Sequence, residues 1–282
     1  MTTLPESTPP PAPKTLSARE RYTPVLISVI STGVVLLLLI WWIGSAPQWP
    51  RVRSQFFSWS DMRASFPDVL DGFWVNMRIW IIAEILILIV ALVLALMRSF
   101  TGPIAAPFRF AAVVYIDALR GVPALLLLLL LGFGVPALQL PGLPKSAEFW
   151  GTVALVAGYS AYTAEIYRSG IEAVHDGQRA AAKALGLNQW QTLRYAIIPQ
   201  AVRNVSPALL NLAVALQKDV ALLSVIGVRD AVREAQIYTA RTFNYSALMV
   251  ATVLFLATSV PLARFADRYA RWDQERRLQR TQ

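Results

Sequence analysis

The chain has no cysteine and a single histidine, His175. The first absence excludes a disulfide framework, a thiol nucleophile and a cysteine-based metal site. The second excludes a metal site built on imidazoles, and His175 reads as a solvated loop residue. Charged residues are scarce, at 15% of 282, while 56% of the chain is hydrophobic. With a mean hydropathy of +0.48, that is too apolar for a soluble domain of this size. The sequence also lacks a Gly-x-x-x-x-Gly-Lys-Ser/Thr loop, so it cannot cradle ATP by that route. No cofactor and no metal is called for. No nucleophile–base pair stands in the apolar segments, which disfavours an intramembrane enzyme and leaves no catalytic residue to name.

What is present is a series of apolar blocks. Residues 25–43 carry no charge and read as a membrane helix. Residues 79–97 are similar, with Glu84 inside them. Residues 110–135 hold a run of leucines at 125–131, with Asp117 and Arg120 near the start. Residues 149–164 are rich in glycine and alanine. Residues 205–228 are apolar apart from Asn211, Gln217, Lys218 and Asp219, and residues 247–266 close the set. Six spans make an all-α polytopic membrane protein. The net charge of +9 would suggest nucleic acid in a soluble protein. Here the cations flank apolar blocks, so they report topology, and no nucleic-acid partner is expected.

The longest polar connector, residues 170–204, orients the chain. With this stretch and both termini in the cytoplasm, about 16 of the 26 lysines and arginines are cytoplasmic and about 8 are not. The opposite assignment inverts that bias. The expected location is the inner (plasma) membrane, multi-pass. The first span is not expected to be a cleaved signal, because a long Pro/Thr/Ser-rich tail precedes it.

The connector is itself patterned as helix, turn, helix. Residues 178–185 are alanine-rich and helix-favouring. Gly186 stands where a C-terminal cap would end that helix. Asn188 is a plausible N-cap for a second helix. Pro199 is expected to stop it, with Ile198 pushed toward extended geometry. Such an element can be a knob that docks in a partner's socket, or an ordinary interfacial helix pair joining two spans. Spacing alone leaves both open.

Ala180-Ala181-Ala182, Gly186 and Ala196-Ile197-Ile198-Pro199 resemble the cytoplasmic loop of permease subunits of binding-protein-dependent ABC importers. Leu119-Arg120-Gly121-Val122-Pro123, then Ala161-Tyr162-Thr163-Ala164-Glu165-Ile166-Tyr167-Arg168, Gly177-Gln178 and Lys218-Asp219-Val220-Ala221-Leu222 are similar to motifs of its polar amino-acid branch, the histidine/glutamine permease-like family. The resemblance covers residues 70–270. It implies a type I importer transmembrane domain, a five-helix core to which the N-terminal helix is an addition. The implied organisation is a disordered cytoplasmic tail (1–24), the extra membrane helix (25–45), a periplasmic interfacial segment (46–69), the transmembrane domain (70–270) with its coupling loop (170–204), and a charged cytoplasmic tail (271–282).

The resemblance further implies partners: a dimer of cytoplasmic ATP-binding subunits, a second permease subunit, and a periplasmic or tethered amino-acid-binding protein, all at the lipid bilayer. The chain itself would be a transporter subunit moving polar L-amino acids by alternating access. Gly177, Ala180, Ala181, Ala182, Gly186 and Pro199 would form the ATPase-coupling loop. Ala180 departs from the family pattern, which has glutamate there. That lost charge suggests a second permease that is a different chain and carries the glutamate.

Ionisable residues inside spans are functional candidates. Glu84, Asn211, Lys218 and Asp219 are candidates for the translocation path. Lys218 and Asp219 point to different sides of a helix and suit the two charges of a zwitterion, or tie their span to neighbouring helices. Asp117 and Arg120, three apart, are expected to pair. Glu165 and Arg168 have the same spacing and would anchor the start of the loop. A gradient-driven secondary transporter or channel using Glu84, Lys218 and Asp219 is the alternative, against which the docking-type loop argues.

Overall fold

The computed structural model describes residues 18–99, 102–174, 176–188 and 191–279. It divides into two compact units, Met1–Ser54 and Gln55–Gln282. In the first, α1 (Ala18–Gly44) is apolar on every side, and none of its hydrophobic window is buried. A helix of that kind is solvated by lipid or by another chain. It starts at Ala18, earlier than the expected 25, so the tail is helical from that point. Residues 1–17 and His175 lie outside the described residues.

The second unit is a helical bundle with no strand among the described residues. It begins at Gln55, ahead of the expected residue 70. A short helix, α2 (Trp49–Phe56), straddles the boundary. The next helix, α3 (Trp59–Ser99), runs for 41 residues, about 60 Å at 1.5 Å per residue. That is about twice the hydrocarbon thickness of a bilayer. The segment expected to lie at the interface up to residue 69 is therefore α2 and, from Trp59, the first part of this rod. Val69, Phe73, Asn76, Ile79, Ala83, Ile87, Ala91 and Leu94 are buried along one stripe at three- or four-residue spacing. Ile82, Ile85, Leu86, Ile89 and Val93 are exposed on the other side, as a lipid-facing surface would be.

Residues expected to form one span at 110–135 form two helices instead. One is α4 (Ala106–Gly121). The other, α5, begins at Ala124 (Ala124–Leu129) and continues through a π-helical turn, Leu130–Gly134. They are bent by 105°. Val122, before a proline, is forced to extended backbone (φ −91°, ψ 129°). Pro123 has no N–H to continue the ladder.

Helix α6 (Ala147–Glu172) is central, with Ala154, Leu155, Tyr159, Ser160, Ala161 and Thr163 buried. Four described helices are long and apolar enough to cross a membrane, or five with the bent pair counted as one. By contrast, α6 has the length but a lower hydropathy, because its neighbours rather than lipid surround it. Arg78 of α3 meets Glu148 at the start of α6, and Arg98 meets Glu165 near its end. The two helices therefore run in the same direction. Helix α7 (Asp176–Ala184) follows, then a π-helical stretch, Thr192–Ile197, that passes into α8 (Ile198–Asp219). Helix α8 returns antiparallel and ends in a 3₁₀ turn, Val220–Ile226. Last come α9 (Ala231–Thr242) and α10 (Ser246–Gln279). Because α10 runs to Gln279, much of the expected C-terminal tail is helix.

The bundle thus has a loop end, where α6 turns through α7 into α8, and a far end, where α8 turns through α9 into α10.

Candidate functional site

The loop is built from two helices, each capped locally. The Leu187 N–H donates to the Ala182 carbonyl (3.1 Å) and the Gly186 N–H to the Lys183 carbonyl (2.9 Å). Gly186 has φ +79°. Together these form the glycine C-cap that the sequence signals. Two residues on, the Gln191 N–H donates to Asn188 Oδ1 (2.9 Å) and the Asn188 N–H to Gln191 Oε1 (3.0 Å). That is a reciprocal capping box at the start of the second helix.

Pro199 does not end that helix. The i→i+5 register of Thr192–Ile197 removes the need for a donor at this position. Pro199 therefore sits in the first turn of α8, where a missing N–H is harmless. Val174, Ile197, Ala201 and Ile171 pack together where the two arms of the loop meet the bundle. Ala182 is buried beneath the loop, while Gly177, Ala180, Ala181, Gly186 and Pro199 are exposed. Leu185 and Tyr195 are 82% and 69% exposed, large side chains on a surface that none of the described residues covers.

Below the loop, Glu165 collects cations from several helices. The Arg98 guanidinium of α3 donates to Glu165 Oε1. Arg168 donates from Nε and Nη2 to Oε2 (3.1 and 2.9 Å), and its Nη1 reaches Glu172. The expected Glu165–Arg168 pair is present, with Arg98 added to it. The expected Asp117–Arg120 pair is not among the described ion pairs. Arg120 instead lies 5.8 Å over the Tyr162 ring and within electrostatic reach of Glu165. It turns to a ring and a carboxylate on α6 and away from its own helix.

The four path candidates separate. Asp219 accepts a hydrogen bond from the Tyr159 hydroxyl of α6 (2.6 Å), and Glu84 is half-buried within electrostatic reach of the same tyrosine. Asn211 and Lys218 are exposed on α8. Lys218 has no ion pair among the described residues. As helical geometry requires, Lys218 and Asp219 diverge. Asp219 thus ties α8 to α6, and buried Gln217 ties α8 to α10 by donating to Thr258 Oγ1 (3.0 Å).

Sequence reasoning missed the far end. Asn76 of α3 is fully buried. Its Nδ2 donates to Asp230 Oδ2 (3.0 Å) and the Val220 carbonyl (3.3 Å), and its Oδ1 accepts from the Ala231 N–H (3.1 Å). Asp230 also caps α9, accepting from the Arg233 N–H (2.8 Å). Burial pushes the Asp230 carboxyl up to about 6, against the hydrogen bonds that favour its charge. Gly72 lets the two backbones meet, since a Cβ there would lie 2.5 Å from the Asp230 carbonyl carbon. Nothing in the local pattern marks Asn76 as a partner of Asp230. A lone asparagine in an apolar helix was the only available signal.

A capped helical hairpin between two spans, a broken span ahead of it and an ionic cluster under it set the loop end of this helical domain apart from its far end. Residues 99–272 match the family model described as the binding-protein-dependent transport system inner membrane component. The chain belongs to that family. The loop, the broken pair and α8 of this transport-system component all lie inside the matched stretch. A relative is the arginine transport system permease protein ArtQ of Bacillus subtilis (strain 168), 36% identical over 191 residues, 67% of this chain and 84% of that protein. Another is the glutamine transport system permease protein GlnP of Escherichia coli (strain K12), 32% identical over 71% of this chain and 89% of that one. Among solved structures, an amino acid ABC transporter with histidines matches with a TM-score of 0.66 at 32% identity, over 73% of this chain and 94% of that chain. The MetNI methionine ABC transporter shares the fold, with a TM-score of 0.60 at 16% identity over 73% and 95%.

Proposed function

We propose that this chain is the membrane-spanning permease subunit of an ATP-driven importer of polar amino acids in the inner membrane. Both termini and the α7 loop face the cytoplasm, and the loop is the docking element for separate ATP-hydrolysing subunits. The observation that carries this reading is the loop itself. One of its helices is capped on its own backbone and the other by the Asn188 and Gln191 side chains, and Leu185 and Tyr195 stand uncovered on it. An interfacial linker needs neither feature. The amino-acid substrate rests on the relatives, whose names specify arginine and glutamine transport.

A binding protein delivers the substrate at the far end. The path runs past Tyr159, where Glu84 and Asp219 offer carboxylates to an amine. Exposed Asn211 and Lys218 on α8 face a second permease subunit or the path between the two. Ala180, exposed where the family pattern has glutamate, leaves this loop only packing contacts with its ATPase. We assign the charged contact to a second, different permease chain.

The test is reconstitution. The complex purified through this chain is expected to contain ATPase subunits and two permease chains of different mass. In proteoliposomes it is expected to take up labelled amino acid only with binding protein and ATP, and vanadate is expected to stop uptake. Uptake by this chain alone on an ion gradient would overturn the reading in favour of a secondary transporter. Two copies of this chain with no second permease would overturn the heterodimer.

A further inference from the structure

We infer that Glu165 is a positioning residue that carries displacement of the loop to both α3 and the break between α4 and α5. The inference rests on the proposed docking role of the loop and names the residues through which that role acts.

Glu165 lies two turns before the end of α6, and its side chain is only 17% exposed. Each carboxylate oxygen is engaged by a different arginine: Oε1 by Arg98 in the last turn of α3, and Oε2 by Arg168. Arg168 passes the chain of contacts on to Glu172, the last residue of α6 before the loop. Three residues before Glu165, on the same face, the Tyr162 hydroxyl donates to the Arg120 carbonyl (3.2 Å) and its ring lies under the Arg120 guanidinium. Arg120 is in the last turn of α4, two residues before Val122, where the chain bends by 105°. One face of α6 thus holds the end of α3 and the end of α4, while its C-terminus leads into the loop.

Anchoring α6 at a membrane surface would need one arginine and no partner on another helix. Arginines from three helices around one mostly buried carboxylate exceed that need. Long ionic side chains also keep their attraction through shifts of an ångström or so, whereas interlocked apolar side chains do not. Such a joint suits helices that must move together without a fixed register. Coupling of this kind has to be measured as an interaction energy rather than read from adjacency.

The experiment uses the full complex in proteoliposomes and measures amino acid taken up per ATP hydrolysed. Glu165→Gln is expected to lower that ratio about fivefold or more, with the ATPase subunit still bound and still hydrolysing ATP. Arg98→Gln is expected to lower it in the same direction, and the double variant no further than Glu165→Gln alone. Arg78→Gln, at the equivalent pair on the far end, is expected to leave the ratio unchanged. If uptake and hydrolysis fall in proportion, or the ratio in both Glu165→Gln and Arg98→Gln equals that of the unaltered chain, the relay is overturned and docking stands. If the unaltered chain retains no ATPase subunit, the importer reading falls and the relay with it.

Discussion

Two joints of α3, one towards each end of the bundle, use opposite chemistry. At the loop end, α3 meets α6 through the Arg98–Glu165 pair, whose side chains are 27% and 17% exposed. At the far end, α3 meets the turn before α9 through Asn76 and Asp230, with no solvent contact and a glycine cut-out that leaves no slack. The first joint tolerates sliding, because charge attraction falls off slowly with distance. The second does not, because each hydrogen bond has one geometry and water cannot replace a lost partner. A long helix clamped near its middle, at Asn76, and loosely tethered in its last turn, at Arg98, can swing about the clamp.

The contrast can be broken at the clamp first. Asn76→Ala leaves the Ala231 N–H and the Asp230 carboxylate without their partner in a buried site. It is expected to cost about 3 kcal/mol, read as a lowered unfolding temperature of the detergent-solubilised chain. A change within the error of the measurement would remove the rigid end from the comparison.

A smaller effect tests the same clamp by pH. The folded Asp230 carboxyl titrates at about 6, above its ordinary 3.8. Between about pH 4 and 6 the native state holds a proton that the unfolded chain has released, so stability falls as pH rises through that window and levels off above it. Unfolding temperatures measured from pH 4 to 7.5 are expected to show this slope, and Asp230→Asn is expected to flatten it. A slope that persists in the variant would assign the titration to another group.

The smallest effects compare the ionic pairs. Arg98→Gln is expected to destabilise by about 1 kcal/mol, since its partner is mostly buried. Arg78→Gln breaks a pair exposed on both sides (58% and 40%) and is expected to cost less than about 0.5 kcal/mol. Equal losses would mean that burial does not distinguish the two.

Much of this was legible in the residue order where the physics is local. Gly186 and Asn188 announce caps because a left-handed backbone and a side-chain acceptor act within a few residues of themselves. Apolar length announces spans for the same reason. The break at Val122 and Pro123 was written in the sequence but masked by the leucines that follow it, which read as one continuous span. Pro199 was misread because a preceding π-helical register, invisible in composition, accommodates a proline. The partners of Glu165 and Asp230 were beyond reach: Arg98 is 67 residues from the first and Asn76 is 154 from the second. No periodicity reaches across such separations. The glutamate paired correctly with its helical neighbour, and only the packing of α3 against α6 added the third member.

The double cap at Gly186 and Asn188 has a thermodynamic consequence for any association the loop enters. Ordering one residue's backbone costs about 1–2 kcal/mol, and a loop that folded only on contact would subtract that cost for each residue it fixed. Here both helices are closed on their own atoms before any partner arrives. Any association would therefore lose rigid-body freedom and the freedom of exposed side chains such as Leu185 and Tyr195, but little backbone freedom. Dissociation would return the same preformed wedge.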